Sequence, residues 1–103
     1  MKIVNEIEFA QAINQKLVLV DFYADWCGPC KMAVPVLEQL SLKYSGEVEI
    51  IKLNIDESPN VVVQYGVQSV PTMILFKEGQ EIDRQLGFFG PGSIEAMLKK
   101  HLS

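Results

Sequence analysis

Cysteine, histidine and tryptophan are scarce in this chain of 103 residues: two Cys, one His and one Trp. Two thiols and a single imidazole, His101 near the far end, fall short of the four ligands a structural zinc site normally takes. They also rule out a fold stapled by several disulfides. Positive charge is short as well, with 9 Lys and Arg against 13 Asp and Glu and a net charge of -4. That balance argues against nucleic acid or an anionic membrane as the partner, because both need basic surface. No apolar run approaches the ~18 residues of a membrane span. Met1–Val4 passes straight into Asn5 and Glu6 with no apolar segment of the kind a secretory signal carries. Repeats, linkers, low-complexity stretches and glycine-rich nucleotide loops are missing too. The expectation is one domain over residues 1–103, cytoplasmic and monomeric, with no bound cofactor.

What is present is ordinary for a self-supporting core: 49% of the residues are hydrophobic and 21% charged. Lys2–Val4 reads as a short strand. Asn5 then caps a helix, with Glu8 placed for a capping box and Phe9, Ala12 and Ile13 as its inner stripe. Leu17–Ala24 is an apolar run broken only by Asp21, which suits a central strand buried on both faces. A helix follows to about Tyr44, with Cys30, Val34, Leu37, Leu40 and Tyr44 at helical spacing, Pro35 as a kink and Gly46 as its stop. Val48–Ile55 is a second buried strand; Ser58 as cap and Pro59 in the first turn open a short helix that Gly66 closes. Thr72–Lys77 and Glu81–Leu86 flank a tight turn at Glu78–Gly79. Ile94, Met97, Leu98 and Leu102 mark a last amphipathic helix, with Lys99 and Lys100 in its final turn. The order βαβαβαββα predicts an α/β fold: a mixed central sheet, parallel in its first half, with helices on both faces.

The two cysteines stand together in Trp26-Cys27-Gly28-Pro29-Cys30, at the entrance of the second helix. Residues three apart on a helix lie ~5–6 Å from each other, within disulfide reach. Free N–H groups of the first turn and the helix dipole favour a Cys27 thiolate, the nucleophilic form. Gly28 leaves room for a partner's backbone, and Pro29 is tolerated in a first turn and stiffens it. A fixed structural bridge across so small a loop adds little stability, and a reducing compartment would open it. The reading is a redox-active Cys27–Cys30 disulfide that cycles.

Asp21 is the odd charge in an apolar strand. A carboxylate at a strand end is the plain alternative; burial would raise its pKa and make it a proton carrier. Lys52 lies in phase with Val48 and Ile50 in the next buried strand. Val70-Pro71 opens a strand, a comfortable place for proline. Trp26, directly before the nucleophile, reads as docking surface more readily than as core.

The chain resembles the thioredoxin family through Val20–Met32, Lys52–Asp56, Tyr65–Val67, Val70–Thr72 and the Phe76–Gly79 hairpin. The resemblance implies the thioredoxin fold and a protein-disulfide reductase that carries electrons in cell redox homeostasis. It implies that Cys27 attacks a client's disulfide and Cys30 resolves the adduct. It implies too that Asp21 lies beneath them and assists Cys30, and that Lys52 pairs with Asp21. By the same resemblance Val70-Pro71 is a cis peptide whose Val70 backbone pairs with client, and Gly87 lets the partner approach. A flavin-containing, NADPH-dependent reductase is the implied electron donor, and disulfide-containing proteins are the implied clients. Two other readings stay open: a thiol oxidant or isomerase on the same fold, which a reduction potential separates, and a redox-silent adaptor, which a double Cys→Ser variant separates. The chain departs from the family pattern at Tyr23, where many members carry a second Trp, and at Phe88-Phe89 after Gly87. Either at least one Phe enlarges an apolar docking rim, or both tuck under the last helix.

Overall fold

Alternating apolar strands and one-faced helices assemble, in the computed structural model, in the order β1 (Lys2–Val4), α1 (Glu6–Ala12), β2 (Val18–Tyr23), α2 (Gly28–Lys43), β3 (Glu49–Asn54), α3 (Pro59–Tyr65), β4 (Thr72–Lys77), β5 (Gln80–Leu86) and α4 (Pro91–His101). The structure describes residues 1–102. A 3₁₀ turn, Ile55–Glu57, joins β3 to α3. The strands form one sheet in the order β1-β3-β2-β4-β5. β3 runs parallel to β1 and β2, and β4 runs antiparallel to β2 and β5. Among the described residues no helix is long and apolar enough to cross a membrane.

β2 sits inside the sheet, and all six of its residues are buried. Its side chains alternate between two cores. Leu19, with Ile50, Met73 and Leu75, packs under Leu37 of α2 and Ile94 and Leu98 of α4. Val18, Val20 and Phe22, with Ile51, Leu53, Ile74 and Phe76, pack under Phe9 of α1 and Val61 of α3. The Phe9 ring meets Phe22, Tyr65 and Phe76 edge to face, with centroids 6.2, 5.6 and 5.8 Å away. Asp21 and Tyr23 share the face of Leu19, so the strand's one charge points toward α2.

Several local expectations are met in detail. Asn5 Oδ1 accepts from the Glu8 N–H at 2.8 Å, and Glu8 Oε1 accepts from the Asn5 N–H at 2.9 Å, closing the capping box. Gly66 takes φ 62°, the left-handed conformation that ends α3. Glu78 and Gly79 both have positive φ, 50° and 85°, as a two-residue hairpin turn demands.

Three expectations are corrected. Ser58 occupies the N-cap of α3 but makes no side-chain cap bond. Instead Glu6, from α1, accepts the N–H groups of Asn60 and Val61 on Oε1, at 2.7 and 3.0 Å. The second strand is shorter than Val48–Ile55, because Asn54 turns the chain into the 3₁₀ segment by accepting the Asp56 N–H at 2.9 Å. On α2, Ala33 is fully buried and Val34 only partly. The stripe that α2 turns to the core is thus Cys30, Ala33, Leu37 and Leu40.

Candidate active site

β2 ends at Tyr23, and the chain turns through Ala24–Trp26 before α2 begins at Gly28. Cys27 is the N-cap of α2, with extended backbone (φ -96°, ψ 111°). Its Sγ takes the place that a Ser or Asp oxygen holds in most helices: it accepts the Cys30 N–H at 3.2 Å. Pro29 lies in the first turn, where a missing N–H leaves no gap in the ladder. Cys30 faces the same side, and the two sulfurs are joined in a disulfide with the Cα atoms 5.3 Å apart. Cys27, at 5% exposure, is the outer of the pair, and Cys30, at 2%, is the inner. A β-carbon added to Gly28 would meet nothing within 4 Å, so the surface beside the pair is open.

Tyr23 and Ala24 pack on the sulfurs from β2, and Ile55 and Val70 close around them. Val70–Pro71 is a cis peptide. Its loop is fastened to the end of β5 by the Gly87 N–H, which donates to the Pro71 carbonyl at 2.8 Å. Thr72 Oγ1 donates to the Ser69 carbonyl at 2.7 Å from the other side. Val70 itself takes part in no loop or turn backbone hydrogen bond among the described residues.

Trp26 is 69% exposed beside the disulfide. Its Nε1–H donates to Asp56 Oδ2 at 2.9 Å. Asn54 Nδ2 in turn donates to Asp25 Oδ2 at 3.4 Å. These contacts hold an exposed aromatic at a set angle. Sequence reasoning misses Asp25, Asn54 and Asp56. The available signal is an Asn at a strand end with Asp two residues on, an Asx-turn pattern.

Asp21 is wholly buried, and among the described residues neither of its oxygens accepts a hydrogen bond. Burial raises its pKa to about 7, against which the Lys52 ammonium pulls downward. Lys52 is the register partner of Asp21 across β2 and β3. The two form no ion pair among the described residues; the Lys52 Nζ lies 4.1 Å from the centre of the Tyr23 ring. Lys52 thus acts on Asp21 by its charge, without a contact ion pair. A crevice of about 90 Å³ opens between Cys30 and Lys52, walled by Tyr23, Asp25, Lys31 and Val34.

The loop after β5 settles where the two phenylalanines go. Phe88 packs against the α2/α4 core, whereas Phe89 is 74% exposed. The Phe89 ring covers Gly87, whose φ is +85°; an added β-carbon there would come within 3.1 Å of the ring. On the side where a side chain would project from Gly87, the chain's own aromatic is the nearest neighbour. Among the described residues no three His, Cys, Asp or Glu side chains gather into a group that could hold a metal.

The chain is similar to known proteins. The thioredoxin family model matches residues 1–100. Thioredoxins of Staphylococcus aureus strains Mu50 and MW2 are each 44% identical over 99 residues, covering 96% of this chain and 95% of theirs. The solved structure of a Plasmodium falciparum thioredoxin superposes with a TM-score of 0.91 at 35% identity, covering 98% of this chain and 99% of that one.

Proposed function

This chain belongs to the thioredoxin family, and on that premise we propose how its thiol–disulfide exchange runs and which residues carry it. The supporting observation is the Cys27–Cys30 bridge laid across the first turn of α2, with a helix N–H already aimed at Cys27 Sγ. The bridge is the oxidised end of the cycle. When it is open, the same N–H and the free first-turn N–H groups face a sulfur at the positive end of the helix. They stabilise the Cys27 thiolate over the thiol.

The reduced pair then works in two steps. Cys27 Sγ attacks one sulfur of a client disulfide; that S–S bond breaks, and the second client sulfur leaves as a thiolate that takes a proton from solvent. A mixed disulfide remains. Cys30, freed of its proton, attacks Cys27 Sγ and displaces the first client sulfur, which leaves as a thiolate and takes a proton from solvent in its turn. The client has gained two electrons and two protons, and the Cys27–Cys30 bridge is restored. Resolution is fast because the attacking sulfur is held one helical turn away. Asp21, with a pKa near neutral, accepts the Cys30 proton through a water, and Lys52 tunes it.

The client lies across Trp26, Gly28, Pro29, Val70 and Pro71, pairing in strand fashion with the unengaged Val70 backbone. Phe89, where the family resemblance pointed to a bare Gly87, extends that rim. Electrons come from a flavin-containing, NADPH-dependent thioredoxin reductase, and the chain acts in the cytoplasm as a single-domain monomer.

Trapping tests the assignment. Reduced Cys30→Ser protein mixed with a disulfide-bonded client accumulates a covalent adduct through Cys27, seen by mass spectrometry and released by dithiothreitol. No adduct, or an adduct through another residue, removes Cys27 from the nucleophile's role. In the same trap Phe89→Ala slows adduct formation severalfold with an unchanged unfolding midpoint. Lost stability with unchanged trapping would place Phe89 in packing alone.

A further inference from the structure

Asp21 and Lys52 stand opposite each other in adjacent parallel strands. Neighbouring strands are ~4.8 Å apart, so a lysine stem is long enough to put its ammonium on a facing carboxylate. An unpaired carboxylate in a buried strand attracts that ammonium strongly. Yet the Asp21 oxygens have no partner among the described residues, and the Lys52 Nζ sits 4.1 Å from the Tyr23 ring centre. Tyr23 lies two residues beyond Asp21 on the same face of β2, nearer the disulfide, and its ring packs on the sulfurs.

We infer that Tyr23 is a positioning residue: its ring holds the Lys52 ammonium over its face and off the Asp21 carboxylate, leaving Asp21 free to take a proton. The inference deepens the proposed proton transfer from Cys30 and rests on it. An aromatic face attracts an ammonium within ~6 Å of its centre. Lys52 is only half-buried, at the lip of the crevice, so its head stays partly hydrated while the ring holds it. A contact ion pair would instead fix Asp21 as a permanent carboxylate with weak affinity for protons. The remaining groups around the site do not replace this device. β4 presents only Met73 opposite Asp21. Cys30, Lys31 and Asp25 line the crevice with Lys52, and Asp25, Asn54, Glu57 and Asp21 itself act on the Tyr23 hydroxyl.

The test reads Asp21 directly, in oxidised protein and without turnover, by the ¹³C shift of its carboxyl carbon through a pH titration. Tyr23→Leu frees the ammonium to pair with Asp21 and lowers the midpoint by about half a pH unit or more. Tyr23→Phe, which keeps the ring, retains the wild-type midpoint. In a Lys52→Met background, Tyr23→Leu moves the midpoint no further. A midpoint that stays or rises in Tyr23→Leu overturns the inference, as does an equal fall without Lys52. Should Tyr23→Leu fail to fold, the wild type and Tyr23→Phe decide alone. Both should show the Lys52 ε-methylene protons shifted upfield by the ring, and ordinary shifts would overturn the inference. Failure of the underlying proton-transfer reading looks different: the titrations behave as stated, but Asp21→Asn leaves the rate of adduct resolution unchanged.

Discussion

A single carboxylate in an apolar strand carries an energetic cost whose sign can be worked out. The Asp21 carboxyl, which would ordinarily titrate at 3.8, is raised to about 7 by burial in the folded chain. Below the lower value both states hold the proton, and the group is neutral toward stability. Between the two values the unfolded chain has lost the proton while the folded one keeps it, so stability falls as pH rises. Above about 7 the whole loss is in force. Asp21→Asn lacks this slope, so its stability relative to wild type should climb between pH 4 and pH 8 by up to about 4 kcal/mol. Urea unfolding at a series of pH values checks it; a constant difference across that range would mean that Asp21 is not titrating in the fold. Asp21 is legible in the sequence because one charge in an apolar run is conspicuous. Tyr23 as a platform for Lys52 is not. That contact depends on register between two strands and on which way a lysine stem lies, and neither leaves a mark in local pattern. Phe88 and Phe89 are ambiguous for the same reason: adjacent residues in a loop have no fixed alternation, so only the fold could send one inward and one outward.

At the scale of elements, helix ends separate what is local from what is not. The capping box at Asn5 and Glu8 spans four consecutive residues and is legible in the sequence itself. The start of α3 shows the same signal in Ser58-Pro59, but its N–H groups go to Glu6, 54 residues away for Asn60 and 55 for Val61. A long-range carboxylate displaces a local hydroxyl because a charged acceptor makes the stronger bond to a helix N-terminus. Glu6→Ala should therefore destabilise the chain by about 1–2 kcal/mol, the cost of a lost cap, whereas Ser58→Ala costs less. Chemical denaturation midpoints of the two variants measure this, and a larger loss at Ser58 would contradict it. The N-cap of α2 carries the same lesson toward function: Cys27 occupies a place usually held by an oxygen, so a structural position doubles as a chemical one.

For the whole molecule, the alternation of the first half dictates parallel pairing, and the Glu78–Gly79 turn dictates the antiparallel hairpin. What no local signal states is the strand order β1-β3-β2-β4-β5, which lays β4 beside β2. That choice puts the Val70–Pro71 loop, at the entrance of β4, against the cysteines at the exit of β2. Two segments separated by some forty residues in sequence thus meet at one end of the sheet, where the start of α2 supplies the electrostatics. The most direct test of the account is turnover. Reduction of a protein disulfide by dithiothreitol should be accelerated by catalytic amounts of the wild-type chain, and both Cys27→Ser and Cys30→Ser should lose that acceleration. A wild-type chain that leaves the rate unchanged, or a Cys27→Ser variant that still turns over, would contradict it.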